Sequence, residues 1–94
     1  MAADPWVLIV GGGLLQTFLI ERARALGLRS ICTDANPRCP GRELADAWYL
    51  LDTYDVAGHR ALVHTLRAQG MSLKGVCTAG SDTAPGAPKS GAVI

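Results

Sequence analysis

The fold is decided by residues 7–18, VLIVGGGLLQTF, where an apolar run leads into three glycines and then into a helical pattern. A short, continuous apolar run bounded by turn residues is typical of a strand buried on both faces of a parallel sheet. A strand, a glycine-rich turn and a helix in this order open a nucleotide-binding βαβ unit. The glycines therefore indicate a ligand site or, on the plainer interpretation, only a tight strand-to-helix turn.

Strands and helices alternate along the rest of the sequence. Strands are predicted at 6–10, 29–33, 47–51 and 74–79, one helical turn at 43–46, and longer helices at 14–26 and 56–69. Gly27 and Gly70 follow the two longer helices, where a left-handed residue commonly ends a helix. Right-handed crossovers then give a Rossmann-like, three-layer α/β sandwich around a parallel sheet of order 3-2-1-4.

Each long helix is expected to cover one face of this sheet. For the first helix, one-sided apolar spacing predicts a buried stripe, formed by Leu15, Phe18, Leu19, Ala23 and Leu26. The second helix presents Val56, Leu62, Val63 and Leu66, with Asp52 and Asp55 as candidates for its N-cap.

The 94 residues form one small domain, which we expect to span 1–82. Residues 83–94 are rich in small residues, proline and glycine, so a disordered tail is predicted there. An α/β unit ordinarily continues into a further helix after its fourth strand, and this tail cannot supply one. We therefore expect a sheet that is incomplete at its C-terminal side, with strand four open to self-association.

Composition excludes several classes of protein. Apolar residues make up 49% of the chain, charged residues 18%, and the net charge is +1, which gives no general attraction to nucleic acid or to an anionic membrane. No apolar run approaches the ~20 residues that span a bilayer, and the N-terminus lacks the pattern of a signal peptide. A cytoplasmic location is expected.

The cysteines and histidines indicate no metal centre. Cys32, Cys39 and Cys77 show no C-x-x-C spacing, so neither a disulfide framework nor a zinc site is predicted, and Cys39 is expected to be a moderately exposed free thiol. His59 and His64 lie about 140° apart around one helix. We expect His59 to be partly buried and His64 to be solvated.

A candidate binding crevice lies at the carboxyl ends of strands one and four, where the connections diverge. Its walls are the glycine loop (Gly11, Gly12 and Gly13) and the turn that contains Ser81 and Asp82, with Asp34 beside them. Backbone N–H groups at such a loop and the following helix N-terminus favour an anionic ligand.

The dinucleotide fingerprint G-x-G-x-x-G is matched only in part. Gly11 and Gly13 fill its first two positions, and Asp34 stands at the distance of the residue that binds a ribose hydroxyl, but Gln16 occupies the third position. The sequence therefore leaves three interpretations of the glycine loop: a dinucleotide site, a site for another small ligand, and a simple turn. Asp34 has two interpretations, as acceptor for a ligand hydroxyl or as the cap of its own Asn-Pro turn.

The segments IVGGGLLQ (9–16), TDANPRCPGRELAD (33–46) and GVCTAGSD (75–82), with an aromatic-apolar strand before DTYD, together resemble the N-terminal domain of ATP-grasp ligases. The resemblance covers residues 7–85. Within this family the chain most resembles the branch that contains carbamoyl phosphate synthetase, biotin carboxylase and the formate-dependent glycinamide ribonucleotide transformylase. Such ligases use ATP and Mg²⁺ to convert a carboxylate into an acyl phosphate, which an amine or another nucleophile attacks.

In that family ATP lies between two later lobes, so the resemblance implies no cofactor in this chain and no catalysis by it alone. It implies instead a domain that contacts those ATP-grasp lobes and binds the acceptor substrate. Mapped onto this sequence, the acceptor-side residues are Gly11, Gly12, Gly13, Gln16, Asp34, Ser81 and Asp82. The tail after Pro85 departs from the family, which continues there into a helix. A small NAD(P)- or nucleotide-binding module and a purely structural interaction domain are the competing hypotheses.

Overall fold

The computed structural model describes residues 4–77. Along these residues the elements are, in chain order, β1 (Pro5–Val10), α1 (Leu14–Ala25), β2 (Arg29–Asp34), α2 (Gly41–Leu44), β3 (Ala47–Leu50), α3 (Val56–Ala68) and β4 (Ser72–Cys77). From β1 to the start of β4 the predicted boundaries agree to within two residues, and the short helical turn begins two residues earlier than expected. Residues 78 and 79, the predicted end of the fourth strand, lie outside the described residues. The predicted tail 83–94 lies outside the described residues.

The four strands form one parallel sheet in the order β3-β2-β1-β4, as predicted. Leu8 in β1 pairs with Ile31 in β2 on one side and with Val76 in β4 on the other. The chain therefore makes the crossover that places β4 next to β1, and the carboxyl ends of β1 and β2 lie side by side.

Helices cover both faces of the sheet. This explains why β1 is a continuous run of apolar residues. On one face Leu8 and Val10 pack with Val63 and Leu66 of α3. On the other face Ile9 packs with Ile20 of α1. Successive residues of a strand point to opposite faces, so a central strand covered on both sides needs apolar residues at every position.

The buried face of α1 differs from the predicted stripe. The helix buries Thr17, Ile20 and Ala23, whereas Leu15 and Phe18 are 59% and 61% exposed. Residues 17, 20 and 23 align along one side of a helix, so the buried side of α1 begins at the polar residue Thr17. Thr17 also satisfies its own hydroxyl by donating to the Leu14 carbonyl within the first turn.

The two long helices end at the glycines that the sequence predicts. Gly27 and Gly70 have φ angles of +80° and +90°, in the left-handed region that glycine adopts without strain. Asp55 caps α3 by accepting a 2.7 Å hydrogen bond from the Gly58 N–H. No helix between residues 4 and 77 is both long enough and apolar enough to cross a membrane.

Candidate functional site

The glycine loop connects the carboxyl end of β1 to α1. Gly11 has a φ of +93°, and its N–H donates to the Thr33 carbonyl at 2.7 Å. Gly13 is the N-cap of α1 in an extended conformation, and neither a capping side chain nor an acidic residue lies in the first turn of the helix. This end of α1 therefore presents backbone N–H groups and the positive end of the helix dipole, which attract an anion.

Asp34 ties the end of β2 to this loop. Its Oδ2 accepts a 2.8 Å hydrogen bond from the Gly12 N–H, and its Oδ1 accepts a 2.8 Å bond from the Asn36 N–H. The second bond is the turn cap considered in the sequence analysis, and the first was not foreseen. The half-buried carboxylate thus holds two loops in a fixed relation at the sheet edge.

Gln16 folds back over the glycine loop. A Cβ built at Gly11 would lie 3.3 Å from Gln16 Nε2, and one built at Gly13 would lie 3.1 Å from Gln16 Oε1. The residue that replaces the third fingerprint glycine therefore covers the two glycines that are retained. The structure brings together the predicted residues Gly11, Gly12, Gly13, Gln16 and Asp34, while Ser81 and Asp82 lie outside the described residues.

Two thiols pack against the middle glycine. A Cβ at Gly12 would lie 2.6 Å from Cys39 Sγ and 2.8 Å from Cys32 Sγ, so only glycine fits without displacing a sulfur. The expectation that Cys39 is moderately exposed was wrong, since it is 4% exposed. The turn at residues 36–41, hereafter the proline loop, folds inward because the Gly41 N–H donates to the Gly12 carbonyl at 2.8 Å.

Cys32 and Cys77 lie in surroundings that disfavour the thiolate. Burial, and then the charges of Cys39 and Asp34, raise the pKa of Cys32 from its ordinary value of 9.0 to about 12. Burial alone raises the pKa of Cys77. Both groups are therefore neutral thiols at physiological pH.

A groove of about 490 Å³ opens on the outer side of the proline loop. Its lining residues all come from this loop and from α2: Pro37, Arg38, Cys39, Pro40, Arg42 and Glu43. The Arg42 guanidinium is held in place, donating to the Pro37 carbonyl at 2.9 Å and lying 4.6 Å from the centroid of the Trp48 ring. Sequence reasoning missed both arginines, and their position inside a proline- and glycine-bounded loop was the available signal.

Under the end of β2 lies a buried histidine that supports the site. His59 is 1% exposed. Its Nδ1 lies 2.8 Å from the Asp55 carbonyl and its Nε2 lies 2.7 Å from Thr33 Oγ1. A carbonyl only accepts, so Nδ1 donates to the Asp55 carbonyl, and Nε2 forms the second hydrogen bond with the Thr33 hydroxyl. His59 is more deeply buried than predicted, and His64 is exposed as predicted.

Through these two hydrogen bonds His59 joins α3 to the end of β2. Across residues 4–77, no three histidine, cysteine or acidic side chains come close enough together to hold a metal ion.

Comparison with known proteins gives a likeness in fold. No protein-family model and no curated protein sequence matches the chain. Among solved structures, N5-carboxyaminoimidazole ribonucleotide synthetase from Thermotoga maritima matches 72% of the chain with a TM-score of 0.57 and 22% identity. The Staphylococcus aureus N5-carboxyaminoimidazole synthetase matches 80% of the chain at 16% identity, with TM-scores of 0.58 and, in its complex with ADP, 0.59.

The chain spans only 24–25% of the length of these synthetases. At such identities the likeness concerns the fold alone.

Proposed function

We propose that this chain is the acceptor-substrate side of an ATP-dependent carboxylate–amine ligase of the ATP-grasp family, acting in the cytoplasm. The observation that carries the proposal is the agreement between two independent lines. The motifs of the sequence resemble the N-terminal domain of ATP-grasp ligases, and the fold is shared with synthetases that are themselves ATP-grasp ligases. The finer assignment to the carbamoyl phosphate synthetase and transformylase branch is part of the proposal.

The site has the chemistry to bind an amine acceptor that carries a phosphate or carboxylate. The open N-terminus of α1 supplies N–H groups to the anion, while Asp34 and Gln16 offer acceptors and donors to hydroxyl and amino groups beside it. A ribonucleotide with a free amine fits this set, and the fold shared with the Thermotoga maritima N5-carboxyaminoimidazole ribonucleotide synthetase supports that class of acceptor.

ATP and Mg²⁺ belong to other lobes in this proposal. The glycine loop is followed by Leu14 and Leu15 and lacks the lysine that binds nucleotide phosphates in a P-loop. When bound to those lobes, ATP would activate the carboxylate as an acyl phosphate. The residues of this chain would hold the acceptor and orient its amine toward the activated group.

The exposed apolar start of α1 is the surface proposed to contact those lobes. Leu14, Leu15 and Phe18 are each more than half exposed, and they lie directly beside the glycine loop. A contiguous apolar patch at the rim of a binding site marks a contact surface for protein. A lobe seated there would close the acceptor site from one side.

A small NAD(P)-binding module is the competing function, because Asp34 stands where a ribose-binding acid would be. The third fingerprint position holds Gln16 instead of glycine, which counts against a dinucleotide. Calorimetric titration with NAD⁺, NADP⁺ and ATP separates the hypotheses. We expect no tight binding of any of the three. A low-micromolar dissociation constant for NAD⁺ or NADP⁺ would overturn the ligase proposal, and one for ATP would overturn the assignment of ATP to other lobes.

A further inference from the structure

Two thiols from different parts of the chain meet at the glycine loop. The Sγ atoms of Cys32 and Cys39 both crowd the position of a Cβ at Gly12, at 2.8 and 2.6 Å. Cys32 lies in β2, and Cys39 lies in the proline loop. Because the backbone already brings both sulfurs to one glycine, a bond between them requires only a short movement of the loop.

The two thiols differ in access. Cys32 is fully buried, and its thiol faces the Gly11 carbonyl at 3.4 Å. Cys39 lines the groove on the outer side of the proline loop, together with Arg38, Arg42 and the single acid Glu43. This rim carries a net positive charge, which attracts an anionic thiol reagent. A reagent from solvent therefore meets Cys39 first.

We propose that Cys32 and Cys39 form a reversible intramolecular disulfide, made by exchange with a low-molecular-weight disulfide such as oxidised glutathione. Its formation is independent of the proposed ligase function.

Exchange proceeds in two steps. The Cys39 thiolate attacks one sulfur of the external disulfide, so that a mixed disulfide forms, the external S–S bond breaks and one thiolate leaves. Cys32 then loses its proton and attacks Cys39 Sγ, which expels the second external thiolate. Two protein thiols are oxidised by two electrons, one external disulfide is reduced to two thiols, and the two protons end on those thiols.

The full burial of Cys32 leaves the first attack to Cys39, and the position of its sulfur beside Cys39 fits it to the second, resolving step. The resulting bond would cross-link β2 to the proline loop around Gly12. The loop is now held there by the 2.8 Å Gly41–Gly12 hydrogen bond, so oxidation would add a covalent tie to the wall of the candidate site.

Peptide mapping tests the proposal. The folded chain with Cys77→Ser is treated with oxidised glutathione, its remaining thiols are alkylated in urea, and it is digested with trypsin. Cleavage after Arg29, Arg38 and Arg42 yields SICTDANPR, which contains Cys32, and CPGR, which contains Cys39. We expect these two peptides to be recovered joined and to separate when dithiothreitol is added.

Matched variants fix the order of the steps. Cys32→Ser is expected to stop at a stable glutathione adduct on Cys39, and Cys39→Ser is expected to form no adduct. Cys32→Ala and Cys39→Ala serve as second variants where a serine prevents folding, as judged by circular dichroism. The proposal is overturned if CPGR carries only glutathione when Cys32 is present, if both peptides are recovered alkylated, or if the disulfide joins two chains.

Discussion

At the scale of single residues, the site depends on Gly12 and Asp34 together. Gly12 has no room for a side chain because two sulfurs press on it, and its N–H is fixed by the Asp34 carboxylate. The sequence indicated Gly12 through its place in the glycine loop and Asp34 through the fingerprint spacing. It did not indicate their contact with Cys32, Cys39 and Gly41, because such contacts join separate loops and leave no local pattern.

Gly12→Ala should destabilise the chain, since the new Cβ would overlap both sulfurs. We expect a loss of about 1–3 kcal/mol, the ordinary cost of overpacking a buried site. Gly75→Ala is the matched control, because a Cβ at Gly75 meets no atom within 4 Å. Urea unfolding should show a lower midpoint for the first variant and an equal or higher midpoint for the second. Equal losses in the two variants would contradict the packing described at Gly12.

Asp34→Asn should also destabilise the chain. One oxygen is replaced by an NH₂ group that faces a backbone donor, so the N–H of Gly12 or of Asn36 loses its partner, at a cost of about 1–3 kcal/mol. Asp52→Asn is the control, because the Asp52 carboxylate accepts one bond, from the Tyr54 N–H, and an asparagine can make it too. Chemical denaturation of both variants measures the difference, and an unchanged stability for Asp34→Asn would show that the carboxylate does not tie the two loops.

Stability should fall at alkaline pH because of Cys32. In the unfolded chain this thiol loses its proton near its ordinary pKa of 9.0, whereas in the folded chain it keeps the proton until about 12. The contribution of Cys32 to the free energy of unfolding is therefore full below pH 9.0 and is lost as the pH rises through this interval. The loss reaches about 1.4 kcal/mol per pH unit, because unfolding then releases one proton. Urea unfolding of the unsubstituted chain and of Cys32→Ala should be measured below pH 9.0 and between pH 9.0 and about 12. The free energy of unfolding should fall more steeply with pH in the unsubstituted chain. Parallel profiles would count against a raised pKa at Cys32.

At the scale of elements, the strands and their order were predictable, whereas the orientation of α1 was not. A run such as VLIV followed by glycines specifies a buried strand, and right-handed crossovers leave few orders for four such strands. Helix α1 carries apolar residues around much of its circumference, so spacing alone does not identify its inner side. Thr17, a polar residue, occupies part of that inner side because its hydroxyl bonds within its own turn.

A pair of substitutions in α1 tests this orientation. Ile20→Ala removes a fully buried side chain and should cost about 2–5 kcal/mol, whereas Phe18→Ser, at a position 61% exposed, should change stability by less than about 0.5 kcal/mol. Thermal and urea unfolding compare the two. A large loss from Phe18→Ser with a small loss from Ile20→Ala would restore the stripe predicted from the sequence.

At the scale of the whole molecule, the described residues form a sheet with both faces of its centre covered, and the candidate site at the carboxyl ends of β1 and β2 is assembled from two loops. Within residues 4–77, β4 pairs with β1 alone, so self-association through β4 stays a prediction. The surface beside the glycine loop is apolar and exposed, and it is the part of the molecule that the proposed function assigns to further lobes.

The proposed acceptor site is tested most directly by mapping amide chemical shifts in the ¹⁵N-labelled chain during titration with a ligand. Two ligands are ribonucleotides that carry a free amine, 5-aminoimidazole ribonucleotide and glycinamide ribonucleotide, and the third, titrated separately, is NAD⁺. An acceptor site predicts saturable shifts from at least one of the two ribonucleotide amines, confined to residues 11–16 and 34–36, with no such shifts from NAD⁺. Saturable shifts from NAD⁺ at these residues, or no response there to either amine, would contradict the account.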